Sequence, residues 1–154
     1  MKALIIYDSQ FGNTEQVART IAKVFGSDGQ LVKANQFEPD MLNGVDLLLI
    51  GSPIQAWQPT QSIKNLLAGL QAKDLSGLMA AAFDTGFASI FAGNAARRIT
   101  RTLSKMGCTI IVPPERFIVV GTEGPLADNE LDHAKRWAQK LINTVGQIRA
   151  RRAA

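Results

Sequence analysis

The run Ile5-Ile6-Tyr7-Asp8-Ser9-Gln10-Phe11-Gly12-Asn13-Thr14-Glu15-Gln16-Val17-Ala18-Arg19-Thr20-Ile21 changes character twice along its length. Its apolar beginning, continuous with Lys2 to Tyr7, is ended by Asp8 and Ser9, the pattern of a short strand buried on both faces. Beyond the polar loop Ser9 to Asn13, Val17, Ile21, Val24 and Phe25 recur at helical spacing. Strand, loop and helix in that order are the first unit of an α/β alternation.

The alternation continues with a weak strand near Gln30 to Asn35, a stronger one at Val45 to Ile50 and a helix from Thr60 to Leu70. A strand at Leu78 to Phe83 follows, then a helix over Ala92 to Met106 that turns Ile99 and Leu103 inward. The last strand is split into Cys108 to Val112 and Phe117 to Val120 by Pro113 and Pro114. A final helix, Asn129 to Gly146, places Leu131, Ala134, Trp137, Ala138, Leu141 and Val145 on one face. Five strands alternating with helices imply right-handed crossovers and a doubly wound parallel sheet covered on both sides, a three-layer α/β/α domain. One domain is expected over 1–148, followed by a basic C-terminal tail at 149–154. In such sheets ligands sit at the carboxyl ends of the strands, which singles out the loops 8–14, 51–59 and 84–93.

Composition narrows the chemistry. The 154 residues, 46% hydrophobic and 19% charged, suit a globular domain that removes roughly 70% of its unfolded surface from water. No apolar run approaches a membrane span, and the N-terminal stretch lacks the length and cleavage site of a signal peptide, so a cytoplasmic location is expected. One cysteine, Cys108, leaves no internal disulfide, and one histidine, His133, argues against a His-rich metal site; no metal is expected. No Gly-x-Ser-x-Gly elbow is present and no catalytic residue stands out, so difficult chemistry has to come from a cofactor. Charge is uneven: residues 1–94 carry six Lys/Arg against eight Asp/Glu, and 95–154 carry eleven against five. The basic half suggests an anionic partner, but the aromatic-basic motifs and recognition helices of nucleic-acid binders are missing.

Ser9 to Thr14 packs hydroxyl, amide and backbone donors at the start of a helix, where the dipole favours an anion. No Lys or Arg occurs between Lys2 and Arg19, so a phosphate there would be held by neutral donors alone. The loop has neither the Lys of a nucleoside triphosphate P-loop nor the three glycines of a dinucleotide fold. The same residues also suit an ordinary capped helix start, and by themselves leave both readings open.

Residues 5–21 resemble the flavodoxin signature over their whole length, with the aromatic, the hydroxyl, the glycine, the threonine, the later alanine and the closing aliphatic residue in register. Gly51-Ser52-Pro53 and Phe83-Asp84-Thr85-Gly86 fall where flavodoxin-like proteins place their two other flavin loops. The resemblance covers nearly the entire chain and fits the short-chain type. It implies a flavodoxin-like fold binding FMN non-covalently. The phosphate would lie in residues 9–14, with Ser9, Gln10, Gly12, Asn13 and Thr14 as ligands and Phe11 in the same loop. The isoalloxazine would lie between Ser52, Pro53, Ile54, Gln55, Ala56 and Trp57 on one side and Asp84, Thr85, Gly86 and Phe87 on the other.

Within that resemblance Trp57 is the candidate for stacking on the flavin, the other reading being an indole packed on its own helix. The family commonly keeps a glycine in the second loop, whose peptide flip presents a carbonyl to the reduced flavin. Here no glycine follows Gly51 until Gly69, and residues with Cβ disfavour the positive φ such a flip needs, which lends weight to two-electron chemistry. In place of the family's acidic residue followed by tyrosine, the third loop offers Phe87, either a flavin cover or core, with Phe91 beyond it. Cys108 is expected as a small buried hydrophobe, His133 as a solvated or capping side chain, and Glu123, Asp128, Glu130 and Asp132 as complements to a helix start. The resemblance implies an electron carrier between a reductase and an acceptor protein. The alternative on the same fold is an FMN-dependent quinone reductase or protoporphyrinogen dehydrogenase. Arg97, Arg101 and Lys105, spaced by four with Arg98 beside them, form a stripe expected either to be ordinary solvated charge or to dock an acidic redox partner.

Overall fold

In the structure, a computed structural model that describes residues 1–71 and 73–154, β1 (Ala3–Tyr7) is flanked in parallel by β2 (Gly29–Lys33) and β3 (Leu47–Pro53). Beyond β3 lies β4 (Met79–Gly86), and two short segments, β5 (Thr109–Ile110) and β6 (Glu115–Ile118), follow one another along its outer edge. Pro113 and Pro114 fall between these segments, where a residue without an N–H would interrupt the ladder. The strand order β2-β1-β3-β4-β5 reverses direction between β1 and β3, and that reversal opens a crevice at the carboxyl ends of the strands.

Strand side chains alternate strictly between two cores. Ile5, Tyr7, Leu47, Leu49, Ala81 and Phe83 meet α1 (Asn13–Phe25) and α4 (Glu130–Ala153), through Val17, Ile21, Trp137 and Leu141 among others. Leu4, Ile6, Leu48, Ile50, Ala80 and Ala82 meet α2 (Gln61–Leu70) and α3 (Ala95–Lys105), through Ile63, Leu67, Ile99 and Leu103. Trp137 is core, with its ring edge-on to Phe83 at 5.7 Å and to Phe117 at 6.0 Å. Among the described residues no helix is long and apolar enough to cross a membrane, and no cluster of metal-ligating side chains occurs.

Several expected boundaries move. β3 and β4 run through Ser52 and Thr85 because the two strands keep pairing there, Ser52 opposite Asp84 and Pro53 opposite Thr85. The third helix begins at Ala95, capped by the Asn94 side chain accepting from the Arg97 N–H at 2.7 Å. The last helix continues to Ala153 and so takes in most of the basic end at 149–154. Arg149 reaches back to Asp46 at 2.6 Å, and the Asp46 carboxyl is held below its ordinary range, first by the Lys2 N–H and then by Arg149. Leu131, expected inside, is exposed in the first turn of α4. His133 lies between Glu130 at 3.2 Å and Glu115 at 3.7 Å, against the Phe117 ring. Cys108 is buried as expected, and burial pushes its thiol up to about 11.

Beneath the first loop, the Tyr7 hydroxyl donates to Glu15 Oε1 at 2.8 Å. Burial, reinforced by that bond, pushes Tyr7 up to about 12, and the bond holds the Glu15 carboxyl below its ordinary range. A phenol whose folded pKa exceeds the unfolded value of 10.0 stabilises the fold fully below that value and loses the contribution as pH rises toward 12. Tyr7→Phe should therefore flatten the decline in stability over that alkaline window. Urea melts of both proteins check this, and parallel declines would place the alkaline loss in other groups.

Candidate functional site

The crevice is a cleft of about 450 Å³ enclosed by four loops at the carboxyl ends of the strands. Ser9, Gln10, Phe11, Asn13 and Thr14 line it from the first loop, Pro53, Ile54, Gln55, Ala56 and Trp57 from the second, and Thr85, Gly86 and Phe87 from the third. None of the lining residues is charged.

The first loop is built to leave donors free. Gly12 at φ 93° brings the chain into α1 in a left-handed conformation, for which glycine is suited. The first-turn amides of a helix have no partner within it. Ser9 Oγ accepts from Gly12 N–H at 3.1 Å and from Glu15 N–H at 3.3 Å, which leaves the amides of Asn13 and Thr14, both cleft residues, to a ligand. The Thr14 hydroxyl is buried against that of Thr85 at 2.8 Å, joining the first loop to the third. Gln55 Nε2 donates to Gln10 Oε1 at 2.6 Å, joining the second loop to the first.

The second loop turns back as a two-residue hairpin. Gln55 and Gln58 exchange backbone hydrogen bonds at 2.8 and 2.9 Å while Ala56 and Trp57 take φ 46° and 66°. Two left-handed residues with Cβ cost of order 1–2 kcal/mol each. The surroundings hold them there: Trp57 Nε1 donates to Phe91 O at 2.8 Å, and a Cβ placed on Gly93 would lie 2.3 Å from Trp57 Cα. Positive φ is thus reached in this loop without glycine, at the steric cost expected for residues with Cβ. Trp57 does not pack on its own helix; it is 63% exposed at the cleft mouth, and Phe87 is 44% exposed.

Three residues expected at the cofactor do not line the cleft. Gly12 shapes the turn from behind. Ser52 is fully buried, its Oγ donating to Pro53 O at 2.8 Å and accepting from Thr60 N–H at 3.0 Å, so it braces the second loop. Asp84 is also fully buried and pairs with Arg116. Sequence reasoning missed a fourth loop, which brings Val119 and Thr122 to the cleft, and within the expected loop 84–93 it did not single out Ala92. Asn13 Nδ2 donates to Glu123 O at 3.2 Å, and Gly124 packs so closely on the Asn13 side chain that a Cβ there would lie 2.5 Å from it. The signal was available: Gly121 to Gly124 follows the carboxyl end of the last strand segment, where this class of sheet binds ligands.

The model of the flavodoxin domain matches residues 4–147. The chain belongs to the flavodoxin family. A flavodoxin from the domain Archaea matches with a TM-score of 0.81 at 25% identity, over 95% of this chain and 99% of that one. Flavodoxin 1 from Bacillus cereus gives 0.80 at 18%, over 93% and 98%. The rubredoxin:oxygen oxidoreductase of Desulfovibrio gigas gives 0.80 at 20%, over 99% of this chain but 37% of its own. No curated protein matches the chain. Membership implies FMN as cofactor and electron carriage as the work done with it.

The cleft's donor set fits FMN. An anionic group has the free first-turn amides and hydroxyls of the first loop, where oriented dipoles substitute for water without a cation. A flat, largely apolar ring system has Ile54, Trp57, Gly86, Phe87 and Val119 around it.

Proposed function

We propose that this flavodoxin is a cytoplasmic electron carrier that takes electrons from a reductase and delivers them to an acceptor protein docking over the cleft mouth and the adjoining basic face of α3. Bound FMN supplies the electron-accepting chemistry, while the chain's own residues hold the phosphate, orient the ring and leave one edge open. The observation that carries the reading is the rim. Trp57, Phe87, Ile90 and Phe91 are all exposed on two loops joined by the Trp57–Phe91 hydrogen bond, and clustered exposed apolar groups of this size mark interaction sites.

The adjoining charge supports a protein partner. Arg97, Arg98, Arg101 and Lys105 are exposed, and among the described residues none is paired with a carboxylate. Arg97 and Arg98 sit in the first turn of α3, which has no acidic residue, so both oppose the positive end of the helix dipole. Cations there do nothing for the helix and suit an acidic partner. Arg97→Glu with Arg101→Glu should slow electron transfer to the cognate partner at low salt, flatten its dependence on ionic strength and leave FMN binding nearly unchanged. Stopped-flow rates across a salt series test this; identical salt slopes in wild type and variant would return the stripe to ordinary solvated charge.

The same exposed apolar rim also favours a second reading, in which a small planar substrate such as a quinone or a porphyrinogen meets the flavin directly. Saturable turnover of a quinone by the FMN-loaded protein with no protein partner present would favour that reading over the carrier.

A further inference from the structure

Arg116 touches no cleft surface, yet it organises one wall of the cleft. It stands on β6 directly opposite Asp84 on β4, and the two side chains form a two-point pair, Nε to Oδ1 at 2.9 Å and Nη2 to Oδ2 at 3.2 Å. Asp84 is fully buried and its Oδ2 also accepts the Ala96 N–H at 3.0 Å, at the start of α3 where a carboxylate is favoured. The rest of the guanidinium points into the loop between β4 and α3. Nη2 donates to Gly93 O at 2.6 Å, and Nη1 reaches Phe87 O at 3.5 Å and Ser89 O at 3.4 Å. A guanidinium has five N–H donors, and all five have an acceptor here.

The carbonyls it gathers belong to the segment that presents the aromatic rim. Phe87 and Ala92 line the cleft, Phe91 O accepts the Trp57 indole N–H, and Gly93 packs against the Trp57 backbone. A continuous series of contacts therefore runs from Asp84 through Arg116 to the 87–93 loop and on to Trp57.

We propose that Arg116 is a positioning residue for the cofactor: clamped by Asp84, it fixes the 87–93 loop and, through that loop, the Trp57 hairpin that flanks the flavin ring. The proposal rests on the reading of the cleft as an FMN site, and its effect falls on the ring end, since the guanidinium bonds the 87–93 loop and none of residues 9–14. Lysine in its place keeps the charge opposite Asp84 and loses the fork, since an ammonium offers three donors from one point.

Three measurements test it. In wild-type apoprotein, nuclear magnetic resonance should give separate, slowly averaging Nη proton signals for Arg116, as expected of a restrained guanidinium; one averaged signal would overturn the proposal without any variant. In Arg116→Lys apoprotein, amide hydrogen exchange should quicken across 87–94 and stay unchanged across β1 and the start of α1. Uniform quickening would mean a merely structural role and would overturn it. In flavin titrations Arg116→Lys should weaken FMN and riboflavin by the same factor, about tenfold, because the loss falls on the ring that both share. A loss confined to FMN, or no loss, would overturn it. Wild-type protein that binds neither flavin would sink the FMN site instead, a result separable from the first two measurements.

Discussion

FMN should bind the apoprotein roughly a hundredfold to ten-thousandfold more tightly than riboflavin. The two ligands differ only in the phosphate, and the first loop offers it at least two donors with nothing else to bond: the amides of Asn13 and Thr14. Hydrogen bonds to a charged group contribute about 1.5–3 kcal/mol each, so two contribute about 3–6 kcal/mol, which is the stated range. Thr14→Ala should lower FMN affinity tenfold to a hundredfold, since it removes a hydroxyl at the site and leaves the buried Thr85 hydroxyl without its 2.8 Å partner. Riboflavin affinity should change much less. The charge pattern adds a second signature. No cation lines the cleft, while the Glu15 carboxylate stands behind the loop, pinned by Tyr7 and by Arg19 at 3.6 Å. Added salt should therefore not weaken FMN binding, in contrast to a site built on Lys or Arg, whose attraction salt would screen. Titration of both flavins into wild type and Thr14→Ala at low and high salt measures all of this. Equal affinities for FMN and riboflavin would remove the phosphate from the loop.

The parts legible in the sequence are those whose partners lie close along the chain or whose burial is complete. β1, the first loop and α1 are read from seventeen consecutive residues because Ala3 to Tyr7 is inaccessible on both faces and Val17 and Ile21 repeat at helical spacing. The ends of β3 and β4 were not legible, because Ser52 and Asp84 look like loop residues until their partners are known. Ser52 is satisfied by the Thr60 N–H and Pro53 O, and Asp84 by Arg116 and the Ala96 N–H, and such bonds allow polar side chains at the inaccessible ends of central strands. Arg116 lies thirty-two residues from Asp84, beyond any local pattern. The extension of α4 past Gly146 was not legible for a related reason. Its apolar face thins out there, and what ties Arg149 down is Asp46, at the start of the approach to β3. Thr122 was not legible because its loop carries no motif and reaches the cleft only through its place at the carboxyl end of the last strand segment.

The floor beneath the second and third loops depends on one aromatic–glycine match, and breaking it should be among the most costly changes in the protein. Gly51 and Phe83 stand directly opposite each other on β3 and β4. The Phe83 ring lies over Gly51 so closely that a Cβ there would fall 2.1–2.6 Å from three ring carbons. The ring has no room to withdraw, being fully buried with Phe117 at 5.9 Å and Trp137 at 5.7 Å, both edge-on. Gly51→Ala should therefore destabilise the fold by about 3 kcal/mol, at the upper end for overpacked cores, and Phe83→Ala by about 3–5 kcal/mol through the cavity it leaves. For a chain of this size each kcal/mol is worth roughly 2–4 °C in Tm. The two losses should not add. Once the ring is gone, the methyl group of Gly51→Ala enters the vacated space, and alanine is better than glycine in a strand by about 0.5–1 kcal/mol. In the Phe83→Ala background, Gly51→Ala should then be neutral or stabilising, a coupling of about 3 kcal/mol that a double-mutant cycle in urea reads directly. Additive losses would mean that the ring moves aside when Gly51 is replaced, and that the close approach of β3 and β4 does not depend on this pair.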